Sequence, residues 1–169
     1  MSIRMRRSTI KPLVVTALAA AAVLAPVNAY AAPGAASAAS AAVVVKSGQR
    51  LDIGHGLWLT LTASQVCEGG GQVVENCSSV TNGNQAPDSV SLQTSGDTSG
   101  TMYRALYLGS GAARMTVQAG PDSYRLRLVT LAGDHGYAVG YGWGAPQTQP
   151  PGDIGATVYS AAGAVLATL

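Results

Sequence analysis

Two histidines come first, because imidazole is the side chain most suited to moving a proton or holding a metal near neutral pH. His55 sits in Gly54-His55-Gly56 with Asp52 three residues before it, and His135 sits in Asp134-His135-Gly136 with its acid adjacent. Two imidazoles and two carboxylates make a sufficient donor set for zinc if the two turns converge. Asp134 beside His135 also resembles an oriented base, and Ser95, Ser99 and Ser110 supply hydroxyls, the parts of a serine hydrolase. The sequence has no Gly-x-Ser-x-Gly elbow, no His-Glu-x-x-His, no Walker loop and no dinucleotide fingerprint. Glu68 and Glu75, the only glutamates, form a candidate glycosidase pair. The intervening Gly69-Gly70-Gly71 is a poor support for a fixed carboxylate separation. The simpler expectation is that His and Asp occupy turns, where their side chains bond the local backbone. We therefore expect no catalytic residue, no resident metal and no cofactor.

The aromatic residues suggest binding. In Tyr137-Ala138-Val139-Gly140-Tyr141-Gly142-Trp143-Gly144, a regular strand places Tyr137, Val139, Tyr141 and Trp143 on one face. The opposite face, Ala138, Gly140, Gly142 and Gly144, is nearly bare, which lets a backbone or ligand approach closely. Two readings follow. The rings are core, in a chain that has no Phe. Alternatively, they are a platform for a sugar ring, a peptide or a partner protein. Trp58 lies opposite Leu57, Leu59 and Leu61 of its own strand and joins the candidates. The candidate binding set is Trp58, Tyr137, Tyr141, Trp143, His55 and His135.

Positioning these residues requires strands. Ala113–Ala119 alternates, with Met115 and Val117 facing one way and Arg114, Thr116 and Gln118 the other; Tyr124–Leu128 repeats the pattern. Thr101–Leu108 sets Tyr103, Ala105 and Tyr107 against Met102, Arg104, Leu106 and Leu108. Ser89–Gln93 alternates again, and 156–160 with 164–169 flank Ala161-Ala162-Gly163 as a hairpin. The pattern predicts eight to ten short strands and no amphipathic helix. The expected fold is all-β, a single antiparallel sandwich, immunoglobulin-like or a partly open barrel, over 43–169.

The segment before the strands reads differently. Arg4, Arg6, Arg7 and Lys11 precede an uncharged apolar run, and Ala29-Tyr30-Ala31 supplies small residues for cleavage, so 1–31 is expected to be a secretory signal peptide. The run of about 13 residues is short of the roughly 20 that span a bilayer. The expected export route is the general secretory one, with the twin-arginine route as the alternative suggested by Arg6-Arg7. Residues 32–42 contain only Ala, Ser, Gly and Pro and read as a spacer. Six basic and eight acidic residues follow Ala31, so the net charge there is −2. That excludes a basic stripe for nucleic acid and a polybasic membrane patch. Outside the cell, Cys67 and Cys77 are expected to form a disulfide, since their spacing does not suit a Cys-x-x-Cys metal or redox unit.

The Ala-rich leader and spacer, Leu51-Asp52-Ile53-Gly54-His55-Gly56-Leu57-Trp58, and the closing Thr157–Leu166 hairpin resemble small exported proteins of high-GC Gram-positive bacteria. That resemblance implies an exported location and an immunoglobulin-like C-terminal hairpin, and it implies no activity. The functional expectation is a secreted, non-catalytic β-sandwich module that binds an extracellular protein, a glycan or another cell-envelope component. No nucleic acid, and no membrane span after signal removal, is expected. The alternatives are an extracellular protease inhibitor presenting a disulfide-braced loop, or a hydrolase using His135 with Asp134 or a metal held by His55 and His135.

Overall fold

The computed structural model describes residues 41–169 apart from Gln72, Thr98 and 147–152. The expected signal peptide, all but the last two residues of the expected spacer, and most of the Pro-rich loop after Trp143 lie outside the described residues. The chain divides into Met1–Ala35 and Ala36–Leu169, and everything below concerns the second unit.

Twelve strands occur among the described residues, more than the eight to ten predicted. They are β1 (Val43–Val45), β2 (Leu51–Gly54), β3 (Leu57–Leu61), β4 (Gln65–Gly70), β5 (Val73–Ser79) and β6 (Ser89–Asp97). The chain continues with β7 (Gly100–Leu108), β8 (Ala112–Ala119), β9 (Asp122–Leu131), β10 (Tyr137–Gly144), β11 (Ile154–Ser160) and β12 (Val165–Thr168). The additional strands are short: β1 and β2 have three and four residues, too few to show a period of two.

The fold is all-β, in two layers. The larger sheet runs β12-β11-β8-β9-β10-β7-β6 and curls into a half-barrel that brings β11 and β12 alongside β6. The smaller sheet runs β2-β3-β4-β5. Pairing is antiparallel throughout except at β1, which lies parallel to the end of β9, Val43 opposite Val129 and Val45 opposite Leu131. The all-β antiparallel sandwich expected from the sequence is found, with this one parallel pair added at its margin. Ala42, at the end of the expected spacer, already packs against the core.

Two cores result, one on each face of the central strands. Inside the curl, Tyr103, Ala105 and Tyr107 of β7 meet Met115 and Val117 of β8, Leu126 and Leu128 of β9, and Ala156 and Val158 of β11. Between the sheets, Met102 and Leu106 of β7, Val129 of β9 and Val139 of β10 meet Leu59 and Leu61 of β3 and Val66 of β4. β7 is therefore buried on both faces over Gly100–Tyr107. The alternation predicted for it is real, but both faces point into protein, and that is why a charged residue on this strand must find a partner inside the fold.

The bare face of β10 has a structural explanation. A Cβ at Gly140 would lie 2.7 Å from the Met115 sulfur and 3.0 Å from Leu126 Cδ1. One at Gly144 would lie 2.7 Å from Tyr124 and 2.8 Å from Tyr103. The space that these glycines leave is filled by the barrel's own side chains.

Cys67 and Cys77 are disulfide-bonded, as expected from the sequence. The bridge does not close an irregular loop: Cys67 and Cys77 are directly opposed in the β4–β5 ladder. The glycines near it have a packing role, since a Cβ on Gly69 would approach Trp58 Cζ2 to 2.7 Å.

Candidate functional site

Arg104 is the most deeply buried charged residue described, 2% exposed in the middle of β7 between Met102 and Leu106. The pleat aims it at the smaller sheet. In that sheet the pairing of Leu59 with Glu68 puts Glu68 on the inward face of β4. Glu68 is 7% exposed, and its Oε2 stands 3.0 Å from Arg104 Nε. Asn76 of β5, directly opposite Glu68, donates to Oε1 at 3.5 Å. Arg104 Nη2 donates to Ser78 Oγ of β5 at 3.1 Å and to Gln93 Oε1, which the ladder places opposite it on β6. Burial pulls the Arg104 pKa down and Glu68 pushes it back only in part, so the guanidinium's lost hydration is not fully replaced. Nη1 has no hydrogen-bond acceptor among the described residues.

Above this group opens a cavity of about 350 Å³, with Ser78, Asn82, Asn84, Ser91 and Gln93 among its lining and Arg104 in its wall. Its shape depends on the loop between β5 and β6. Gln85 ties that loop down, donating through Nε2 to the carbonyls of Ser89 and Leu106 and accepting from Ser91 Oγ at 2.7 Å. Asn82 accepts the Asn84 amide at 3.0 Å, a local turn brace. The result is a cleft of neutral amides and hydroxyls around one buried cation, at the small end of the range for ligand sites. Such a site can recognise oxygen acceptors, and it contains no nucleophile–base pair.

The two histidines are not brought together. His55 stacks on Trp143 at 3.9 Å between ring centroids, at the C-terminal end of β10, while His135 precedes the N-terminal end at Tyr137. With a strand rise of about 3.4 Å per residue, those two ends lie roughly 20 Å apart. Both acids act within their own turns. Asp52 Oδ1 accepts the Gly54 amide at 2.8 Å, and Asp134 Oδ1 accepts the Gly136 amide at 3.1 Å. Ser110 does meet Asp134, at 3.4 Å, and both line a cleft with His135. The imidazole, however, spends Nε2–H on the Ala132 carbonyl at 3.0 Å. Ser95 lies on β6 and Ser99 in the turn to β7, both exposed and outside that cleft. Glu68 and Glu75 point to opposite faces of their hairpin, since Glu68 pairs with Asn76 and side chains alternate.

Of the aromatic set, Tyr137 and Tyr141 are 5% and 6% exposed and belong to the core between the sheets, not to an exposed platform. Tyr137 donates its hydroxyl to the Thr62 carbonyl at 2.7 Å, and burial pushes its pKa up to about 12. Trp143 is half-buried and donates Nε1–H to the Ile53 carbonyl at 2.7 Å. Trp58 is half-buried against Gly69 and Gly70, with the Arg50 guanidinium 4.2 Å from its ring centroid. The partly accessible rings are thus Trp58 and Trp143, each already stacked against a side chain of its own chain.

The sequence reading did not single out Arg104, Ser78 or Gln93 as a site. A signal for Arg104 was present: its position on an otherwise apolar stripe with Met102 and Leu106. Compared with family models, with curated proteins and with solved structures, the chain matches none.

Proposed function

We propose that this protein is an exported, non-catalytic β-sandwich module that binds a hydrogen-bonding component of the cell envelope, a glycan first among them. The observation that supports it is the cleft at Arg104: a cavity of about 350 Å³ lined by hydroxyls and carboxamides around a buried guanidinium that has donor capacity left over. Buried donors without acceptors are rare in folded proteins and destabilising, by about 1–3 kcal/mol each, so a surplus of them on a residue in the wall of a cleft favours a ligand rich in oxygen acceptors. Export rests on the basic start, apolar run and small-residue exit of 1–31.

The alternatives draw less support from the geometry. The Ser110, Asp134 and His135 contacts brace a turn, and His135 is not bonded to the serine it would have to activate. The disulfide ties paired strands and does not stiffen a projecting loop of the kind an inhibitor would present.

The test has two parts. N-terminal sequencing of the protein from culture medium should read from Ala32. Retention on immobilised envelope polysaccharide should be saturable and should fall when Arg104 is replaced. A cell-retained, uncleaved chain, or no retention on any envelope polymer, refutes the proposal.

A further inference from the structure

We infer that the cleft at Arg104 takes a carboxylate-bearing saccharide, with the acid group on the guanidinium and the sugar hydroxyls on the surrounding amides and hydroxyls. This rests on the binding reading above and names the ligand class for the same site.

The argument starts from how Arg104 is held. A guanidinium carries five N–H donors in one plane. The Nε edge faces Glu68 Oε2, and Nη2 is taken by Ser78 Oγ and Gln93 Oε1. Nη1 keeps both of its N–H groups without an acceptor among the described residues. Glu68 alone does not replace the hydration that Arg104 loses on burial. A second acceptor with negative charge therefore has more to gain here than a neutral one, because it adds coulombic attraction to the hydrogen bond and a carboxylate can engage the planar fork with two oxygens.

Gln93 identifies where that acceptor would sit. It is exposed on the edge strand β6, yet its Oε1 lies on the buried Nη2 while its Nε2 donates to Ser78 Oγ at 3.2 Å. Its carboxamide is flat, of carboxylate shape, and mounted on a flexible stem that reaches in from outside. A ligand carboxylate can displace it without moving the backbone. Gln93 is thus an internal stand-in for the ligand's acid group, and it competes with the ligand.

The rest of the cleft argues for a sugar over a simple acid. Asn82, Asn84, Ser91 and Ser78 are neutral groups that match alternating donor and acceptor hydroxyls. Leu106 adds one apolar contact. A volume of about 350 Å³ accommodates a monosaccharide and leaves one side open for a polymer to continue.

Isothermal titration of the full chain with D-glucuronate, D-glucose and N-acetylalanine tests this. Glucuronate alone of the three is expected to bind. The Gln93→Ala variant, at an exposed edge position that leaves the core intact, is expected to bind it more tightly. Removing one competing hydrogen bond of about 0.5–1.5 kcal/mol corresponds to roughly 2- to 10-fold. Arg104→Gln is expected to abolish binding, and circular dichroism shows whether that variant is folded. Binding of glucose with equal affinity overturns the acid assignment while leaving the binding module standing. Binding of N-acetylalanine without glucuronate overturns the saccharide. Weaker binding by Gln93→Ala overturns the stand-in role. If no probe gives heat, the inference falls, and polymer retention on the same preparation decides the wider reading separately.

Discussion

Replacing Glu68 by Gln removes one charge from the middle of the fold and almost nothing else, and it tests whether the Arg104 guanidinium is truly dry. In the native state the two side chains are 2% and 9% exposed, and Nε stands 3.0 Å from Oε2. After the substitution a cation remains between Met102 and Leu106 with only neutral acceptors, Ser78 and Gln93. Removing one partner of a buried pair costs about 3–5 kcal/mol, and the two surviving hydrogen bonds place the expected loss at the lower end, about 3 kcal/mol. A domain of this size has a stability of about 5–15 kcal/mol, so the variant should still fold. The double replacement Glu68→Leu with Arg104→Met removes both charges at once. It should lie within about 1 kcal/mol of the parent or above it, because two apolar side chains then fill the layer and no charge is stranded. Urea unfolding followed by tryptophan fluorescence measures all three proteins, with the slope held constant so that the midpoint reports stability. A loss below about 1 kcal/mol for Glu68→Gln would mean that water already reaches Arg104. The unmet demand of that guanidinium, on which the ligand argument depends, would then disappear.

Three further outcomes are expected. Replacing Cys67 and Cys77 together by Ala should lower stability by roughly 2–3 kcal/mol, the chain-entropy value for a loop closed over a separation of 10 residues, and reducing agent should shift the parent's urea midpoint but not the variant's. Gly140→Ala should destabilise by about 1–3 kcal/mol in thermal melts, because the new methyl meets Met115 and Leu126 inside van der Waals contact; an unchanged melting point would show that the barrel interior is loose. Stability should fall as pH rises above about 10, because unfolded tyrosines ionise near pH 10 while Tyr137 holds its proton to about 12. Tyr107, pushed up by burial and by Asp88, contributes in the same direction. Tyr137→Phe should flatten that alkaline loss while weakening the protein slightly at neutral pH through the missing bond to Thr62. An alkaline unfolding curve identical to the parent's would contradict the burial argument.

The strands with long alternating stripes were legible in the sequence, because a period of two is set by the pleat itself and needs no knowledge of the partner. Met115 with Val117, and Leu126 with Leu128, face inward as that period predicts. The C-terminal hairpin turns where Gly163 takes a φ of 82°, a conformation that its missing Cβ permits. What the period could not show is which face meets solvent. In β10 the aromatic stripe and the glycine stripe both point into protein, one towards the smaller sheet and the other into the barrel. A strand buried on both faces reads from sequence like a strand with one decorated surface. The parallel pairing of β1 with β9 was also out of reach, since it joins Val43–Val45 to residues more than 80 positions away without a connecting motif.

The same limitation hid the site, and its cause is physical. Alternation put Arg104 on a stripe with Met102 and Leu106, which left two resolutions: an arginine lying across an exposed apolar strand with its head in water, or an arginine buried against an acid from elsewhere. The difference lies entirely in the element that covers the stripe. That element is the β4–β5 hairpin, whose glycines and paired cysteines gave the appearance of a flexible loop. Once Gly69 and Gly70 are recognised as the bed for the Trp58 ring and Cys67 as the partner of Cys77 across a ladder, the hairpin becomes a pair of bonded strands with two defined faces. Glu68, Asn76 and Ser78 must then share one face of it, with Glu75 and both cysteines on the other. The first face is the one that closes over β7. A carboxylate brought there needs a cation, and Arg104 is the cation that the larger sheet supplies, so each half of the pair is intelligible only after the other sheet is in place.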